Sequence, residues 1–457
     1  MLVKFWGTRG AMAKPGPTTL QYGGNTSCVE VRAADGTLIV LDCGTGAHGL
    51  GQQLLATGER PMKGHLLISH THWDHIQGLP FFLPLFVKGN EWDIYGPAGL
   101  SSKLEATLSG QMEYEYFPVK MTALGATIRF HDLIEGQFEA GGVKVTSRYM
   151  NHPGMSMGYR LEADGGAVVY ATDHEPHSRH HALPGETVED SGAVHREDDG
   201  HMKFLYCADL VIHDSQYTQD EYAAKIGWGH SPAERVVDWA IHSRVRKLAL
   251  FHHDPLRDDR SLTALVNRMK RRVEEAGAQV EVRAAAEGES IEVSDARDEV
   301  AIPAGTEPRS SKVPVAAPPP EKPPTIVVAD DDPDMQEAIQ GALTPQGYRL
   351  VVCSNGLEAI EQARQHFPDL MLIDWQMPGA DGIGVCRELR ASSDFRLRAV
   401  PIVFLTSMVT ADQTATAFSA GATDFLTKPF SPSHLRSKVQ QWLMRTRQAR
   451  LRWGEAP

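Results

Sequence analysis

The sequence predicts an α/β protein with two folded domains joined by a proline-rich linker. Short apolar runs typical of buried strands recur in both halves of the 457-residue chain, and in the second half they alternate with helical patterns. Residues 301–324 contain eight prolines and no aromatic residue, so this stretch cannot bury a core. We therefore expect domains at residues 1–297 and 325–450, separated by a linker at 298–324.

The N-terminal domain opens with predicted strands that run into glycine-containing turns. Residues 2–10 indicate a strand followed by a glycine turn, residues 23–28 precede a second strand, and residues 38–46 contain a third. A further apolar run, His65–Ile68, leads directly into the most informative segment of the chain.

That segment, residues 69–78, places three histidines and a carboxylate within six residues as an H-x-H-x-D-H cluster. Imidazole nitrogens and carboxylate oxygens are the ligands that borderline divalent ions such as Zn²⁺ prefer. On an extended backbone residues i and i+2 point the same way, so His70 and His72 can hold one ion. Asp74 and His75, on the turn that follows, are then free to bind a second.

Further ligand-type residues stand at the ends of later predicted strands. His152 follows the strand-like run at residues 143–146, Asp173 follows the apolar run at residues 167–170, and His252 ends the run at residues 248–251. His253 is adjacent, and we favour His252 because it directly follows the apolar run. Strands that end at one edge of a sheet would bring these residues together.

The cluster and its partners resemble the metallo-β-lactamase superfamily, which implies an αββα sandwich with a dinuclear metal site. The resemblance implies that one ion binds His70, His72 and His152. The second ion would bind Asp74, His75 and His252, and Asp173 would bridge the two. Zn²⁺ is the favoured ion, with Mn²⁺ and Fe as alternatives.

Three segments resemble the phosphodiesterase branch of that superfamily, which includes ribonuclease Z and the cyclic-phosphate phosphodiesterases. They are residues 6–10, residues 78–82 and the run Gly229-His230-Ser231-Pro232, where we expect a helix capped by Ser231. The resemblance implies that His230 stabilises or protonates the reacting phosphate. Asp74 is expected to orient or deprotonate the attacking water.

Composition narrows the class of substrate and the compartment. The net charge of the chain is −13, whereas a protein that binds a nucleic acid chain usually has a basic surface. A small phosphorylated substrate is therefore favoured. Five scattered cysteines, no apolar run of membrane-spanning length and no apolar leader predict a cytoplasmic protein without a membrane partner. The polar stretch at residues 174–203 is either a lid over the site or a solvated insertion.

The second domain carries its own set of polar residues at strand ends. Predicted strands at residues 325–329, 370–373, 402–405 and 424–427 are followed or ended by acids, a hydroxyl and an amine. Strands that alternate with helical patterns such as residues 335–343 indicate a parallel, doubly wound sheet, and such sheets place their sites at the carboxyl ends of the strands.

This domain resembles the receiver domain of two-component response regulators, a doubly wound (βα)5 fold. The resemblance implies that Asp374 accepts a phosphoryl group from a cognate sensor histidine kinase or phosphotransfer protein. It further implies a Mg²⁺ site and a set of residues that respond to the phosphoryl group. The Mg²⁺ residues are Asp330, Asp331 and the backbone of Gln376; the phosphoryl contacts and switch residues are Thr406, Phe425 and Lys428.

Together these patterns predict a response regulator whose output is a dinuclear metal hydrolase. The favoured reaction is that of a phosphodiesterase that acts on a small nucleotide or phosphodiester, cyclic phosphodiesters included. A lactonase or ester hydrolase on the same scaffold is the nearest alternative. A di-iron redox sensor is disfavoured because its relatives usually carry Glu at the position of His72. A catalytically idle adaptor is weakened by the full ligand set, and a homodimer is left open.

Overall fold

The computed structural model describes residues 1–58, 61–97, 103–177, 196–293, 322–407, 416–417 and 419–452. The chain divides into two compact units, Met1–Pro176 with Gly200–Ala316, and His177–Asp199 with Ala317–Pro457. Residues 298–321 of the predicted linker and residues 178–195 of the candidate lid lie outside the described residues. The predicted domain boundaries therefore stay predictions.

The first unit contains two sheets, each of seven strands within the described residues. The first sheet is built from β1 (Leu2–Gly7), β2 (Cys28–Arg32), β3 (Leu38–Leu41), β4 (Lys63–Leu67), β5 (Glu91–Pro97), β6 (Thr127–Leu133) and β14 (Ser290–Glu292). Their spatial order is β14-β1-β2-β3-β4-β5-β6, and β3 to β6 run parallel. The carboxyl ends of β3 and β4 therefore lie side by side.

The second sheet, like the first, has four neighbouring strands that run parallel and further strands that run antiparallel. Its strands are β7 (Gly136–Ala140), β8 (Val143–Tyr149), β9 (Met157–Ala163), β10 (Gly166–Ala171), β11 (Leu210–Asp214), β12 (Lys247–Phe251) and β13 (Glu281–Ala284). The order is β13-β12-β11-β10-β9-β8-β7, with β10 to β13 parallel and β7 to β10 antiparallel. The carboxyl ends of β10, β11 and β12 therefore form one edge.

The two sheets pack face to face, and helices cover their outer faces. Between the sheets, the rings of Phe5 and Phe251 lie 6.2 Å apart and the Tyr159 hydroxyl donates to the carbonyl of Ile68 at 2.6 Å. The helices are α1 (Gly46–Ala56), α2 (Trp73–Ile76), α3 (Leu104–Gly110), α4 (Arg196–Leu205), α5 (Gln219–Tyr222), α6 (Ala233–His242) and α7 (Asp259–Glu275). Apolar side chains of α1 join the core of the first sheet, and those of α6 and α7 join the core of the second. The predicted αββα sandwich is confirmed.

The second unit contains a five-stranded parallel sheet. Its strands are β15 (Thr325–Ala329), β16 (Arg349–Cys353), β17 (Leu370–Asp374), β18 (Ile402–Thr406) and β19 (Asp424–Thr427), in the order β16-β15-β17-β18-β19. The described helices are α8 (Pro333–Leu343), α9 (Gly356–His366), α10 (Gly382–Arg390), α11 (Phe395–Ala399) and α12 (Pro432–Arg452). The doubly wound receiver fold is confirmed. None of the described helices in either unit is both long and apolar enough to span a membrane.

One local expectation is wrong. Helix α6 begins at Ala233 with Pro232 as its N-cap, and no side chain caps it. Ser231 precedes a proline, which favours an extended backbone, and its Oγ donates to the carbonyl of His174 at 2.5 Å. The turn that carries Asp74 and His75 is the one-turn helix α2.

Candidate active site

Strand ends deliver the predicted ligands to one edge of the sandwich. Asp42 follows β3, the H-x-H-x-D-H cluster follows β4, and His152, Asp173 and His252 follow β8, β10 and β12. All the predicted ligands except His72 are buried. Separate chain segments therefore supply one cluster, as the sequence predicted.

The backbone at three of these positions is unusual. Asp42, Asp173 and His252 have φ values of 59°, 50° and 56°, in the left-handed region that L-residues with a side chain rarely occupy. Each lies just beyond its strand, where the left-handed turn redirects the chain. Such conformations persist only where surrounding structure enforces them, and they concentrate at functional sites.

The first predicted set of ligands is His70, His72, His152 and Asp173, whose donor atoms all lie within 4.8 Å of one another. His152 Nε2 is 3.1 Å from His72 Nδ1. Asp173 Oδ2 lies 3.5 Å from His70 Nε2 and 3.7 Å from His152 Nε2. This spacing suits three imidazoles and one carboxylate around one ion.

The second set, Asp74, His75 and His252, shares the same carboxylate. Asp74 Oδ2 lies 3.0 Å from His252 Nε2 and 3.2 Å from His75 Nε2. Asp173 Oδ1 lies 3.3 Å from each of these two imidazole nitrogens. The two oxygens of Asp173 thus face different ligand sets, which is compatible with a bridging carboxylate.

The alternative ligand, His253, lies elsewhere. Its Nε2 contacts the carbonyl of Ala285 at 2.9 Å, and burial lowers its pKa to about 3. His252 is therefore the member of this pair that the fold brings to the cluster.

Hydrogen bonds to Nδ1 orient three of the imidazoles. His75 Nδ1 lies 2.7 Å from Asp42 Oδ2, His152 Nδ1 is 3.0 Å from the carbonyl of Gly229, and His252 Nδ1 is 3.0 Å from Gln216 Oε1. Because each of these partners accepts a hydrogen bond from Nδ1–H, the Nε2 lone pair is left for an ion. Asp42 is itself fixed by Ser69 and by the Tyr170 hydroxyl.

The cluster has the chemistry of a divalent-ion site. Within the described part of the chain, Nε2 of His70 and Nε2 of His75 are buried and make no well-aligned hydrogen bond, although cluster carboxylates lie 3.2 to 3.5 Å away. Such burial is costly unless something else binds these nitrogens. Burial holds the pKa of His70 well below its usual range and lowers that of His152 to about 3, so both rings are neutral donors. Asp74, Asp173 and Asp42 concentrate negative charge that cations would balance. The residues present fit two divalent ions.

His230 stands beside the cluster and is held by a carboxylate of its own. Its Nδ1 lies 3.1 Å from Asp214 Oδ2 and 3.9 Å from Asp173 Oδ2, and its ring stacks on that of His252 at 4.9 Å. Burial alone would lower the pKa of His230, but Asp214, with Asp173 and Asp74, raises it to about 9. Asp214 also accepts from the backbone N–H of Ser231 at 3.2 Å.

A second buried carboxylate fixes the loop that carries His230. Glu175 accepts hydrogen bonds from the Tyr222 hydroxyl at 2.9 Å and from the backbone N–H groups of Gly227 and Gly229 at 2.7 and 2.8 Å. Gly229 has φ +89°, and a Cβ there would lie 2.2 Å from Nδ1 of His152. Gly229 therefore links the His152 ring, through its carbonyl, to Glu175, through its backbone N–H.

Sequence reasoning missed several of these supporting residues. Asp214 ends β11 as the other ligand-type residues end their strands, which was the signal available for it. Glu175 lies within the polar stretch interpreted as an exposed insertion, yet it is buried. The backbone N–H of Ala11 donates to Asp74 Oδ2 at 2.8 Å, and no side-chain pattern marks such a donor.

The second unit gathers its predicted residues at the carboxyl edge of its sheet. Lys428 Nζ lies 2.7 Å from Asp330 Oδ2 and 2.5 Å from Asp374 Oδ1. Asp330, Asp331 and Asp374 offer donor atoms within 4.8 Å of one another, which fits a Mg²⁺ site. The backbone N–H of Gln376 donates to Asp374 Oδ2 at 3.0 Å. Burial raises the pKa of Asp330.

The predicted switch residues lie on the neighbouring strands. Thr406 ends β18 and is buried, and its carbonyl accepts from the backbone N–H of Lys428 at 2.7 Å. Phe425 lies within β19 and is half-buried. The structure thus brings the predicted acids, Thr406 and Lys428 to one edge, with Phe425 inside the neighbouring strand, while their roles stay predictions.

Comparisons with known proteins match each unit to a family. Residues 37–253 match the model of the beta-lactamase superfamily domain, and residues 326–440 match that of the response regulator receiver domain. The probable transcriptional regulator ycf27 of Pyropia yezoensis is 38% identical over 111 residues, which are 24% of this chain and 44% of that protein. The chain thus covers less than half the length of this curated relative.

Solved structures resemble the N-terminal unit at low identity. The metallo-beta-lactamase fold protein YhfI from Bacillus subtilis is 18% identical, covering 64% of this chain and 99% of that one, with a TM-score of 0.43. The short form of human tRNase Z is 21% identical, with coverage of 64% and 99% and a TM-score of 0.42.

Proposed function

Because the chain joins a beta-lactamase superfamily domain to a response regulator receiver domain, we propose that it is a phosphorylation-regulated, metal-dependent phosphodiesterase. The observation that carries the reaction class is the pair of His230 and Asp214 beside the seven-residue ligand cluster. An imidazole held by a carboxylate at that place can donate a hydrogen bond or a proton to a substrate that is anionic and gains charge in its transition state, as a phosphodiester does.

Two divalent ions held by the two ligand sets would lower the pKa of the attacking water and would balance the charge of the phosphoryl oxygens. Asp74 is held by the N–H of Ala11 and lies at the cluster, where its carboxylate can orient that water and accept its proton. His230 keeps Nδ1 on Asp214, so Nε2 is the atom that stabilises the phosphate or protonates the leaving oxygen. These roles for Asp74 and His230 are part of the proposal.

The substrate is proposed to be small. The net charge of −13 opposes long polyanions, and a nucleotide or a cyclic phosphodiester fits the charge and the reaction class. We place the activity in the cytoplasm, where a sensor histidine kinase or a phosphotransfer protein would supply the phosphoryl group.

In the receiver, Asp374 is proposed to attack the phosphoryl donor as a carboxylate nucleophile. Lys428, already paired with Asp330 and Asp374, would compensate the charge of the transferring oxygens, and Asp330 with Asp331 would hold Mg²⁺. The new phosphate adds about −1.5 to −2 charges, to which Thr406 and Phe425 would respond by changing position.

A substrate panel tests the reaction class. The chain loaded with Mn²⁺ or Zn²⁺ is assayed against bis(p-nitrophenyl) phosphate, cyclic nucleotides and lactones, as wild type, His230→Ala and His242→Ala. We expect phosphodiester turnover, a loss of roughly 10²–10⁴-fold in kcat for His230→Ala, and no change for His242→Ala, an exposed histidine at the end of α6. If the protein hydrolyses lactones and no phosphodiester, the proposal of a phosphodiesterase is wrong and the protein is an ester hydrolase.

A further inference from the structure

A wall of two aromatic rings and one lysine extends outward from His230. The ring of Tyr217 is buried and meets the His230 ring edge-on, with centroids 5.8 Å apart. Lys225 Nζ lies 4.4 Å from the centre of the Tyr217 ring and 5.5 Å from that of Trp228. The wall thus runs from the histidine placed at the reacting phosphate to the indole of Trp228.

Trp228 combines a fixed backbone with an exposed side chain. Its neighbours Gly227 and Gly229 both donate their backbone N–H groups to the buried carboxylate of Glu175, and its own N–H donates to the carbonyl of Lys225 at 3.1 Å. Its side chain nevertheless remains 61% exposed. An exposed indole loses the stabilisation that burial would give it. On a rigid loop beside a candidate active site, such an indole is suited to stacking on a ligand.

The charge of Lys225 narrows the chemistry of that ligand. Its nearest carboxylate, Asp254 Oδ2, is 3.9 Å away, and 31% of its side chain is exposed. A partly accessible cation between two rings favours an anionic group next to an aromatic one. Nucleotides carry both, and stacking on tryptophan tolerates every base.

We propose that Trp228 is a stacking platform for the base of a nucleotide substrate and that Lys225 binds the anionic group attached to it. This inference rests on the proposed phosphodiesterase function and specifies its substrate class as nucleotide phosphodiesters rather than phosphodiesters without a ring.

Titration calorimetry of the Mn²⁺-loaded full chain tests the platform with two probes, adenosine 5′-monophosphate and glycerol 3-phosphate. Trp228→Ala should weaken adenosine monophosphate roughly 5- to 100-fold and leave glycerol phosphate unchanged. Trp228→Phe, which keeps a ring, should stay within about threefold of wild type, and Lys225→Met should weaken both probes. The thermal midpoint of each variant reports whether the fold is retained.

Three outcomes would overturn the platform: wild-type affinity for adenosine monophosphate in a folded Trp228→Ala, equal weakening of both probes in that variant, or a wild type that binds neither probe. Failure of the phosphodiesterase proposal is a different result. It would be a wild type that hydrolyses no phosphodiester, whatever its affinity for adenosine monophosphate.

Discussion

The carboxylate of Asp214 lies 3.1 Å from Nδ1 of His230 and sets the orientation of that ring against the ligand cluster. The pair joins two elements, because Asp214 ends β11 and His230 precedes α6. Asp214 also accepts from the backbone N–H of Ser231, so ring and loop are fixed by one side chain.

Asp214→Asn should lower kcat on the order of 10²-fold or more, because an amide neither stabilises a protonated imidazole nor selects the same tautomer. Metal content should stay at the wild-type level, since Asp214 belongs to neither ligand set. Steady-state kinetics and elemental analysis of the same preparation check both parts. A wild-type kcat in an Asp214→Asn variant with full metal content would show that Asp214 does not position His230 for catalysis.

The bridging geometry of Asp173 predicts how metal is lost. Asp173→Ala should weaken both transition-metal positions because its two oxygens face different ligand sets, whereas His152→Ala should mainly empty one. Elemental analysis of purified wild type should give about two such ions per chain. Full metal content in Asp173→Ala would contradict the bridge.

The support of His75 by Asp42 predicts a milder effect. Asp42→Asn should reduce metal affinity roughly 10- to 100-fold without changing the number of sites, because the carboxylate orients a ligand and does not bind the ion itself. Competition with a chelator measures this affinity. Unchanged metal affinity in Asp42→Asn would mean that His75 is oriented without help from Asp42.

Two glycines of one loop provide a matched pair. Gly229→Ala places a Cβ 2.2 Å from Nδ1 of His152, whereas Gly227→Ala has a similar φ of +88° and nothing within 4 Å. Both should lose about 1 kcal/mol of stability from the positive φ. Only Gly229→Ala should also lose metal and turnover, since His152 must move; equal metal loss in both would indicate loop strain instead.

The convergence of the candidate ligands was predictable because each follows an apolar or strand-like run, and a sheet converts that local pattern into a shared edge. His252 was separable from His253 on this ground alone. Asp214 and Glu175 were not recognised as supports, because their roles depend on backbone N–H groups brought near by tertiary packing. The predicted cap at Ser231 was wrong because the helix begins one residue later, with Pro232 at the N-cap position.

Control of the metal-dependent phosphodiesterase by the receiver can be tested on the full chain with a phosphoryl mimic. Turnover of a phosphodiester and solution mass are recorded for the Mn²⁺-loaded full chain with and without beryllium fluoride and Mg²⁺. We predict that the mimic changes the turnover or the solution mass of the wild type. Asp374→Ala should keep the basal turnover and lose this response. His72→Ala should lose turnover and should keep any response in solution mass. If neither quantity changes in a wild-type protein shown to bind the mimic, the receiver does not switch this enzyme.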